Sequence, residues 1–266
     1  MNALRALLPI GVAFGLLACA TPTLRPLPAE DLRPAALLAR WSAAVEDRRA
    51  LRGLARLSLD AEHSQAGPLR LRSKQRVVLA RPGRLRVEVQ GFLGATLAVL
   101  AIDGGRYAFF QSEGRRYESG VVYPALLRDV VGLDLPPPDA VDVILGAPPL
   151  GADPHIRAAF DVGDGLVRLE LVDGGAGARR TLDLDAEARL RRFLMRSAGG
   201  DPLWEARFDE YAPVAGAPVA HRVSLTLPAA SAVLALSAVE LNPSLDPDIF
   251  RLDPIAGPGD AVEEGG

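Results

Sequence analysis

Residues 69–89 read LRLRSKQRVVLARPGRLRVEV, and this stretch decides the fold. Apolar side chains occupy most odd positions and basic side chains most even positions, on both sides of Arg81-Pro82-Gly83. A period of two with one polar face is typical of antiparallel strands in a sheet that is buried on one side. The Pro-Gly pair marks a turn. The stretch therefore predicts a β-hairpin whose odd residues face a core.

Similar strand patterns continue on both sides of this hairpin, from Leu57 to Glu118 and again from Ala158 to Leu241. Two short helical patterns that open with proline, 124–131 and 138–145, lie between the two runs, and residues 34–49 have the apolar spacing of a longer helix. The predicted fold class is mostly β (α+β). It is a single unclosed antiparallel β-barrel of about eleven strands, with an N-terminal helix and two covering helices.

The first nineteen residues have the pattern of a lipoprotein signal. Arg5 precedes an uncharged run, 6–17, that is too short to span a bilayer, and Cys19 follows as the only cysteine of the chain. Leu16-Leu17-Ala18-Cys19 resembles a bacterial lipobox, in which cleavage precedes an acylated cysteine. An ordinary signal peptide with a chance cysteine, or a buried apolar helix, is the alternative. The pattern predicts lipidation of Cys19. The resemblance to Gram-negative lipoproteins, in which Asp after the cysteine favours retention in the inner membrane, implies that Ala20 favours the outer membrane.

These features divide the chain into four parts. Residues 1–18 are the predicted signal peptide, and 19–33 are the lipidated cysteine with a proline-rich, extended tether. Residues 34–254 are the predicted folded domain, and 255–266 a flexible tail. The folded domain would then be held near a membrane surface without being inserted in it.

The composition argues against several classes of protein. The chain has 30 basic and 33 acidic residues, a net charge of −3, so it has no global basic field for nucleic acid. One cysteine and three histidines argue against zinc sites, and no nucleophile elbow or phosphate-binding glycine loop is present. The pairs Asp183/Asp185 and Asp246/Asp248 are typical of solvated or capping carboxylates. We therefore predict no enzymatic activity, no metal, no cofactor and no nucleic-acid partner.

Three stretches carry a family resemblance: 82–88 (PGRLRVE), 91–104 (GFLGATLAVLAIDG), and 241–250, which contains Leu-Asn-Pro and Asp-Pro-Asp-Ile-Phe. With the order of helices and strands, they make residues 34–254 similar to the LolA/LolB lipoprotein-localisation proteins and related outer-membrane lipoproteins. The predicted lipidation favours LolB, because LolA is not lipidated. The resemblance implies an unclosed β-barrel whose apolar cavity, plugged by helices, receives the acyl chains of lipoproteins.

The resemblance and the apolar strand faces together indicate which residues line this cavity. The candidates come from two predicted strands and from the covering helices: Leu85, Val87, Val89, Leu97, Val99, Ala101, Leu126, Leu127, Val141 and Ile144. Every globular domain has an apolar interior, so a fully packed core is the alternative for the same residues.

LolB-like proteins also carry an exposed apolar loop that contacts the membrane. The matching pair here is Phe92 and Leu93, which lie between Gly91 and Gly94. A buried turn with both side chains under the sheet is the alternative. The two interpretations differ in one observable, the exposure of these two side chains.

A basic stripe occupies the even face of the hairpin, at Arg70, Arg72, Lys74, Arg76, Arg84 and Arg86. A solvated outer face with acidic cross-strand neighbours such as Glu88 explains it without a function. The alternative is a contact for anionic lipid headgroups or for an acidic partner.

The sequence as a whole favours a monomeric outer-membrane lipoprotein that faces the periplasm. It would bind lipid or the acyl chains of lipoproteins, assist their localisation or insertion, and receive cargo from a periplasmic carrier. The main rival is a non-catalytic structural or sensor lipoprotein that binds an envelope protein through its sheet, with a packed interior. A hydrolase is a third possibility that no group of residues supports.

The anchor assignment can be tested by replacing Cys19 with serine. Cys19→Ser removes the thiol that would carry the lipid, so metabolic labelling with a palmitate analogue should mark the native protein alone. Equal labelling of the two proteins would contradict the lipobox interpretation.

Overall fold

The computed structural model describes residues 24–63, 67–173 and 177–253. The predicted signal peptide (1–18), the predicted lipidation site Cys19 with Ala20, and the predicted tail (255–266) lie outside the described residues. None of the helices in the described part has the length and apolar character that crossing a bilayer requires.

In these ranges, fourteen strands and three α-helices follow one another along the chain. In chain order they are β1 (Arg25–Pro26), α1 (Arg33–Glu46), β2 (Ala50–His63), β3 (Gly67–Ala80), β4 (Arg84–Gln90), β5 (Thr96–Asp103), β6 (Arg106–Gln111), β7 (Arg116–Val121), α2 (Leu126–Val131), α3 (Pro137–Ile144), β8 (Pro154–Gly163), β9 (Leu166–Asp173), β10 (Arg179–Leu184), β11 (Leu190–Arg196), β12 (Pro202–Val214), β13 (Ala217–Leu227) and β14 (Ala230–Leu241).

All the described strands belong to one antiparallel sheet in the order β1-β8-β9-β10-β11-β12-β13-β14-β2-β3-β4-β5-β6-β7. Two consecutive runs, β2–β7 and β8–β14, are joined in the middle by the pairing of β14 with β2, where Leu59 lies opposite Ala232. The sheet is not closed, because β1 and β7 are its two edges. The prediction of an unclosed antiparallel barrel with three helices is confirmed, with more strands than the predicted eleven or so.

Part of the predicted tether is attached to this sheet. Arg25 and Pro26 pair with β8, and the Leu27 amide donates a hydrogen bond to the Ala159 carbonyl at 2.9 Å. The exposed edge of β8 offers main-chain groups to any extended segment beside it, and a proline is tolerated in such an edge strand. Residues 25–27 are therefore part of the folded body.

The helices cover the inner face of the sheet. Helix α1 begins with Pro34 in its first turn and buries Leu37, Trp41 and Val45 against the second run of strands. Helices α2 and α3 come from the connection between β7 and β8 and pack against the first run. Gly132 ends α2 in the left-handed conformation (φ 80°), where glycine has no steric penalty.

Two apolar clusters make up the core. One lies under α1 and includes Phe193 stacked on Trp204, with ring centroids 4.9 Å apart. The other lies under α2 and α3 and includes Leu79, Leu85 and Ile102. The strand pairs and both clusters described here lie within residues 24–253, so a chain that begins at Leu24 retains every contact that the described residues make with one another.

The stretch 241–253 joins the end of β14 to the start of β2 and then packs on β4 and β5. The Asn242 carboxamide oxygen accepts hydrogen bonds from the amides of Arg49 and Ala50, at 2.8 and 3.1 Å, and its nitrogen donates to the Asp47 carbonyl at 2.7 Å. The chain then crosses the outer face of β4 and β5 as a 3₁₀ turn, Pro247–Phe250. Two segments of the family resemblance, Leu-Asn-Pro and Asp-Pro-Asp-Ile-Phe, thus have structural roles.

Candidate functional site

An apolar cavity of about 160 Å³ lies between the sheet and the helical cover. The helical segment lines it with Leu127, Val131, Leu133, Leu135, Ala140, Val143 and Ile144. The sheet lines it with Leu57, Leu71, Gln75, Val77, Leu85, Val87, Val89, Ala98, Leu100, Phe109, Val223, Leu225, Ala232 and Leu234. Because both runs of strands contribute, the cavity spans the β14–β2 pairing.

Gln75 is the one lining residue with a polar side chain. It is buried on β3 directly opposite Val89, and its amide nitrogen donates to the Ser73 hydroxyl oxygen at 3.0 Å. The sequence carried a signal for this residue, since Gln75 is a polar side chain at an odd, inward position of the hairpin. The rest of the wall is hydrocarbon, which suits an apolar ligand.

The cavity is open toward one end of the sheet. Val77 on β3 and Leu85 on β4 are buried at one end, whereas Leu71 and Val89, farther along these two strands, are partly exposed, as is Leu57 on β2. Leu59, the next inward residue of β2, is buried again. The second group lies at the end where the turn between β4 and β5 connects the strands. We call this the open end.

At the opposite end, two arginines hold α3 to the sheet. Arg81, in the turn between β3 and β4, contacts the Asp142 carboxylate at 2.6 Å and donates to the Ala147 carbonyl at 3.0 Å. Arg48, just before β2, donates to the carbonyls of Leu145 (2.9 Å) and Pro218 (2.8 Å). The polar contacts thus close this end of the cavity.

Arg48 is a buried cation, and its position was not anticipated from the sequence. Its side chain is 5% exposed, and among the described residues no carboxylate forms an ion pair with it. Burial lowers the pKa of its guanidinium, and its Nε has no hydrogen-bond partner among the described atoms. A buried charge of this kind is costly, so its carbonyl partners are essential to it.

Helix α2 is attached differently. Its side chains Leu126 and Leu127 are buried in the core cluster, but among the described residues no side-chain hydrogen bond joins α2 to the sheet. Within the described part of the chain, the guanidinium of Arg128 pairs only with the nearby Asp129 and Asp134. Of the contacts described, apolar ones alone therefore hold α2 over the cavity.

The structure places the predicted cavity residues in three groups. Leu85, Val87, Val89, Leu127 and Ile144 line the cavity. Leu126 and Val141 are fully buried in the adjoining core cluster and do not line the cavity. Leu97, Val99 and Ala101 lie outside the cavity altogether.

The last group reflects a wrong choice of face on β5. Val89 pairs with Ala98 and Gln90 with Thr96, so the register shifts around Leu97, and the inward residues of β5 are Ala98, Leu100 and Ile102. Both faces of this strand are apolar, because the 3₁₀ turn 247–250 covers the outer one. Alternation therefore carried no information about which face was inward.

The pair Phe92-Leu93 is exposed. Phe92 is 88% and Leu93 91% accessible, and Leu97 lies over Gly91 at the base of the turn. The turn is closed by a hydrogen bond of 2.7 Å from the Gly91 amide to the Ala95 carbonyl, and Leu93 has a positive φ of 57°. We call Phe92-Leu93 the apolar tip; it stands at the open end of the cavity.

The carboxylate pairs found in the sequence have structural partners. Arg168 contacts both oxygens of Asp183, at 2.7 and 2.8 Å, and Asp246 accepts from the Asp248 amide at 3.0 Å. Asp185 caps the turn before Arg189. Among the described residues, no group of three or more His, Cys, Asp or Glu side chains is placed to hold a metal ion.

Comparison with known proteins identifies the fold. No protein-family model and no curated protein sequence matches the chain. A LolA superfamily protein from Nitrosomonas europaea has a similar structure, with 13% identity, a TM-score of 0.54, and coverage of 81% of this chain and 97% of that one. A putative outer membrane lipoprotein-sorting protein domain from Vibrio parahaemolyticus has 12% identity, a TM-score of 0.47, and coverage of 81% and 94%. The first likeness shows that this chain has a LolA-type fold, as the sequence motifs predicted.

The attachment of α3 can be tested with Arg81→Ala. The substitution removes an ion pair in which both side chains are less than a third exposed, together with a bond to the Ala147 carbonyl, so the free energy of unfolding should fall by about 2 kcal/mol. Hydrogen exchange should speed up in 137–147 more than in the strands. Arg128→Ala, whose ion pairs are exposed, is the control and should change stability by less than about 0.5 kcal/mol. If amide hydrogen exchange in α3 is unchanged in the Arg81→Ala variant, Arg81 does not hold α3 to the sheet.

Proposed function

We propose that this protein is a non-enzymatic carrier that holds an acyl chain of a lipid or an acylated protein in the cavity and delivers it at a membrane. The observation that carries the proposal is the cavity itself, which has a hydrocarbon wall with one polar side chain, Gln75, and one open end. Such a site can bind an alkyl chain by burial of apolar surface, at ~0.8 kcal/mol per methylene.

The size of the cavity bears on how binding would proceed. A cavity of about 160 Å³ is close to the ~150 Å³ of an engineered protein cavity that binds benzene. It therefore has room for a short segment of a chain. A longer chain requires the cover to move, and α2, which only apolar contacts hold, is the element that can separate from the sheet while α3 stays attached.

The apolar tip supports the delivery step. Two large apolar side chains are almost fully exposed beside the open end, although burying them would be favourable. Insertion into the interfacial region of a bilayer would bury them and bring the open end of the cavity to the membrane. The LolA-type fold and the predicted lipid anchor at Cys19 agree with an outer-membrane protein that faces the periplasm.

The cavity is tested by filling it. In a chain that begins at Leu24, Leu127→Trp or Ile144→Trp places a larger side chain in the cavity. Binding of a fluorescent fatty-acyl probe should weaken about tenfold or more, which corresponds to ~1.4 kcal/mol per tenfold. Val121→Trp adds the same side chain at an exposed position outside the cavity and should leave binding unchanged. Tight probe binding by well-folded Leu127→Trp and Ile144→Trp variants would argue for a packed interior.

The tip is tested by Leu93→Glu. Because Leu93 is exposed, the free energy of unfolding obtained from thermal melts should change by less than about 0.5 kcal/mol, and the variant should still bind the probe in solution. Transfer of the probe to liposomes should slow, because a carboxylate resists entry into the bilayer interface. The control is Leu32→Glu, the same substitution at a leucine that is 80% exposed elsewhere. If the Leu93→Glu variant transfers the probe to liposomes at the native rate, the apolar tip has no role in delivery.

A further inference from the structure

The basic stripe of the hairpin divides into two groups in the structure. Arg70, Arg84 and Arg86 form ion pairs with Asp60 (3.4 Å), Asp103 (3.3 Å) and Glu88 (2.7 Å). These three support the interpretation of a solvated outer face with acidic neighbours. The other three residues of the stripe behave differently.

Arg72, Lys74 and Arg76 are exposed on the outer face of β3, and Arg56 on β2 lies directly opposite Lys74. We call these four residues the cationic patch. At ~3.3 Å per residue along a strand, Arg72 and Arg76 are about 13 Å apart. The patch is thus a short row of cations with a fourth cation beside its centre.

The patch lacks acidic partners. Among the described residues, no carboxylate oxygen lies within 4.0 Å of a side-chain nitrogen of these four cations, although most arginines on neighbouring strand positions have one. On β2, Leu54 lies opposite Arg76, and on β14 the facing positions are Val233, Ala235 and Ser237. On β4, Glu88 lies opposite Arg76, but its carboxylate contacts Arg86 at 2.7 Å. A chain of net charge −3 therefore carries a local row of cations that form no ion pair with the described carboxylates.

The patch is also next to the apolar tip. Lys74 is paired with Gln90, the last residue of β4, and the tip begins two residues later, after Gly91. Arg72 lies farther along β3, beyond the end of β4. Unpaired cations and exposed apolar side chains therefore meet at the open end of the cavity.

We propose that the cationic patch binds the anionic headgroups of a phospholipid bilayer and so orients the open end of the cavity toward the membrane. The proposal deepens the proposed function, because orientation matters only if cargo leaves through that end. The neighbouring tip favours a bilayer over an acidic protein, since cations beside exposed apolar side chains match the layered chemistry of a membrane surface.

The test compares two double variants in a chain that begins at Leu24. Arg72→Gln/Lys74→Gln removes two charges from the patch. Arg106→Gln/Arg179→Gln removes two exposed arginines elsewhere that also have no ion pair among the described residues. Co-sedimentation is measured at low and high salt with vesicles of phosphatidylcholine alone and with vesicles that contain phosphatidylglycerol.

The patch variant should lose affinity for the phosphatidylglycerol vesicles by about fivefold per charge, or about 25-fold in total, with a weaker dependence on salt. The control variant should bind as the native chain does. Equal losses in both variants would assign the effect to net charge, and unchanged binding of the patch variant would show that the patch does not contact lipid. Either result overturns the proposal.

Binding of the fatty-acyl probe without vesicles is measured on the same proteins. Absence of probe binding in the native chain rejects the proposed function, whatever the vesicles show. If the probe binds normally but the patch and control variants bind vesicles equally well, the proposed role of the patch is rejected and the proposed function is not.

Discussion

The inner face of the curved sheet is apolar along both runs of strands, and the three helices of the described chain cover it. Helix α1 packs over the second run, and α2 and α3 pack over the first. Protein interiors are close-packed, so the cavity of about 160 Å³ is a place where the lining side chains forgo packing contacts. This apolar face must be kept from water. That requirement determines where the helices lie, how each is attached, and where the cavity is open or closed.

The polar contacts make the cover asymmetric. Arg48 and Arg81 bind main-chain carbonyls at or just beyond the end of α3, and a buried arginine cannot leave such partners without losing stability. Among the described residues, helix α2 contacts the sheet through apolar side chains alone, and such contacts are not directional and allow it to shift. The open end, the apolar tip and the cationic patch all lie away from the two arginines. One end of the molecule thus has the interactions that preserve the fold, and the other has the exposed groups that can meet a partner.

Much of this arrangement was accessible from the sequence. The alternation that runs through β3 and is regular on β4 identified Leu85, Val87 and Val89 as inward residues, and proline marked the starts of α2 and α3. Alternation did not identify the inward face of β5, because the C-terminal 3₁₀ turn covers the outer face, both faces are apolar, and Val99 is buried on the outer one. The sequence of α3 also does not show that Val141 packs into the core beside the cavity, because a short helix with several apolar residues does not reveal which of them faces a void. Arg48 was missed because its carbonyl partners come from distant parts of the chain.

The pairing of β14 with β2 has a consequence for how the chain is made. Leu59 and Ala232 are neighbours in the sheet although 173 residues separate them, so this part of the sheet forms only after almost the whole chain has been synthesised. Contacts of such long range slow folding, because the closure of a long loop precedes them. A product that ends before residue 230 would leave the long strands β2 and β13 each without a neighbour on one side. Unpaired strands of this kind readily pair with other chains, so truncated products of this protein should aggregate even when their own strand pattern is intact.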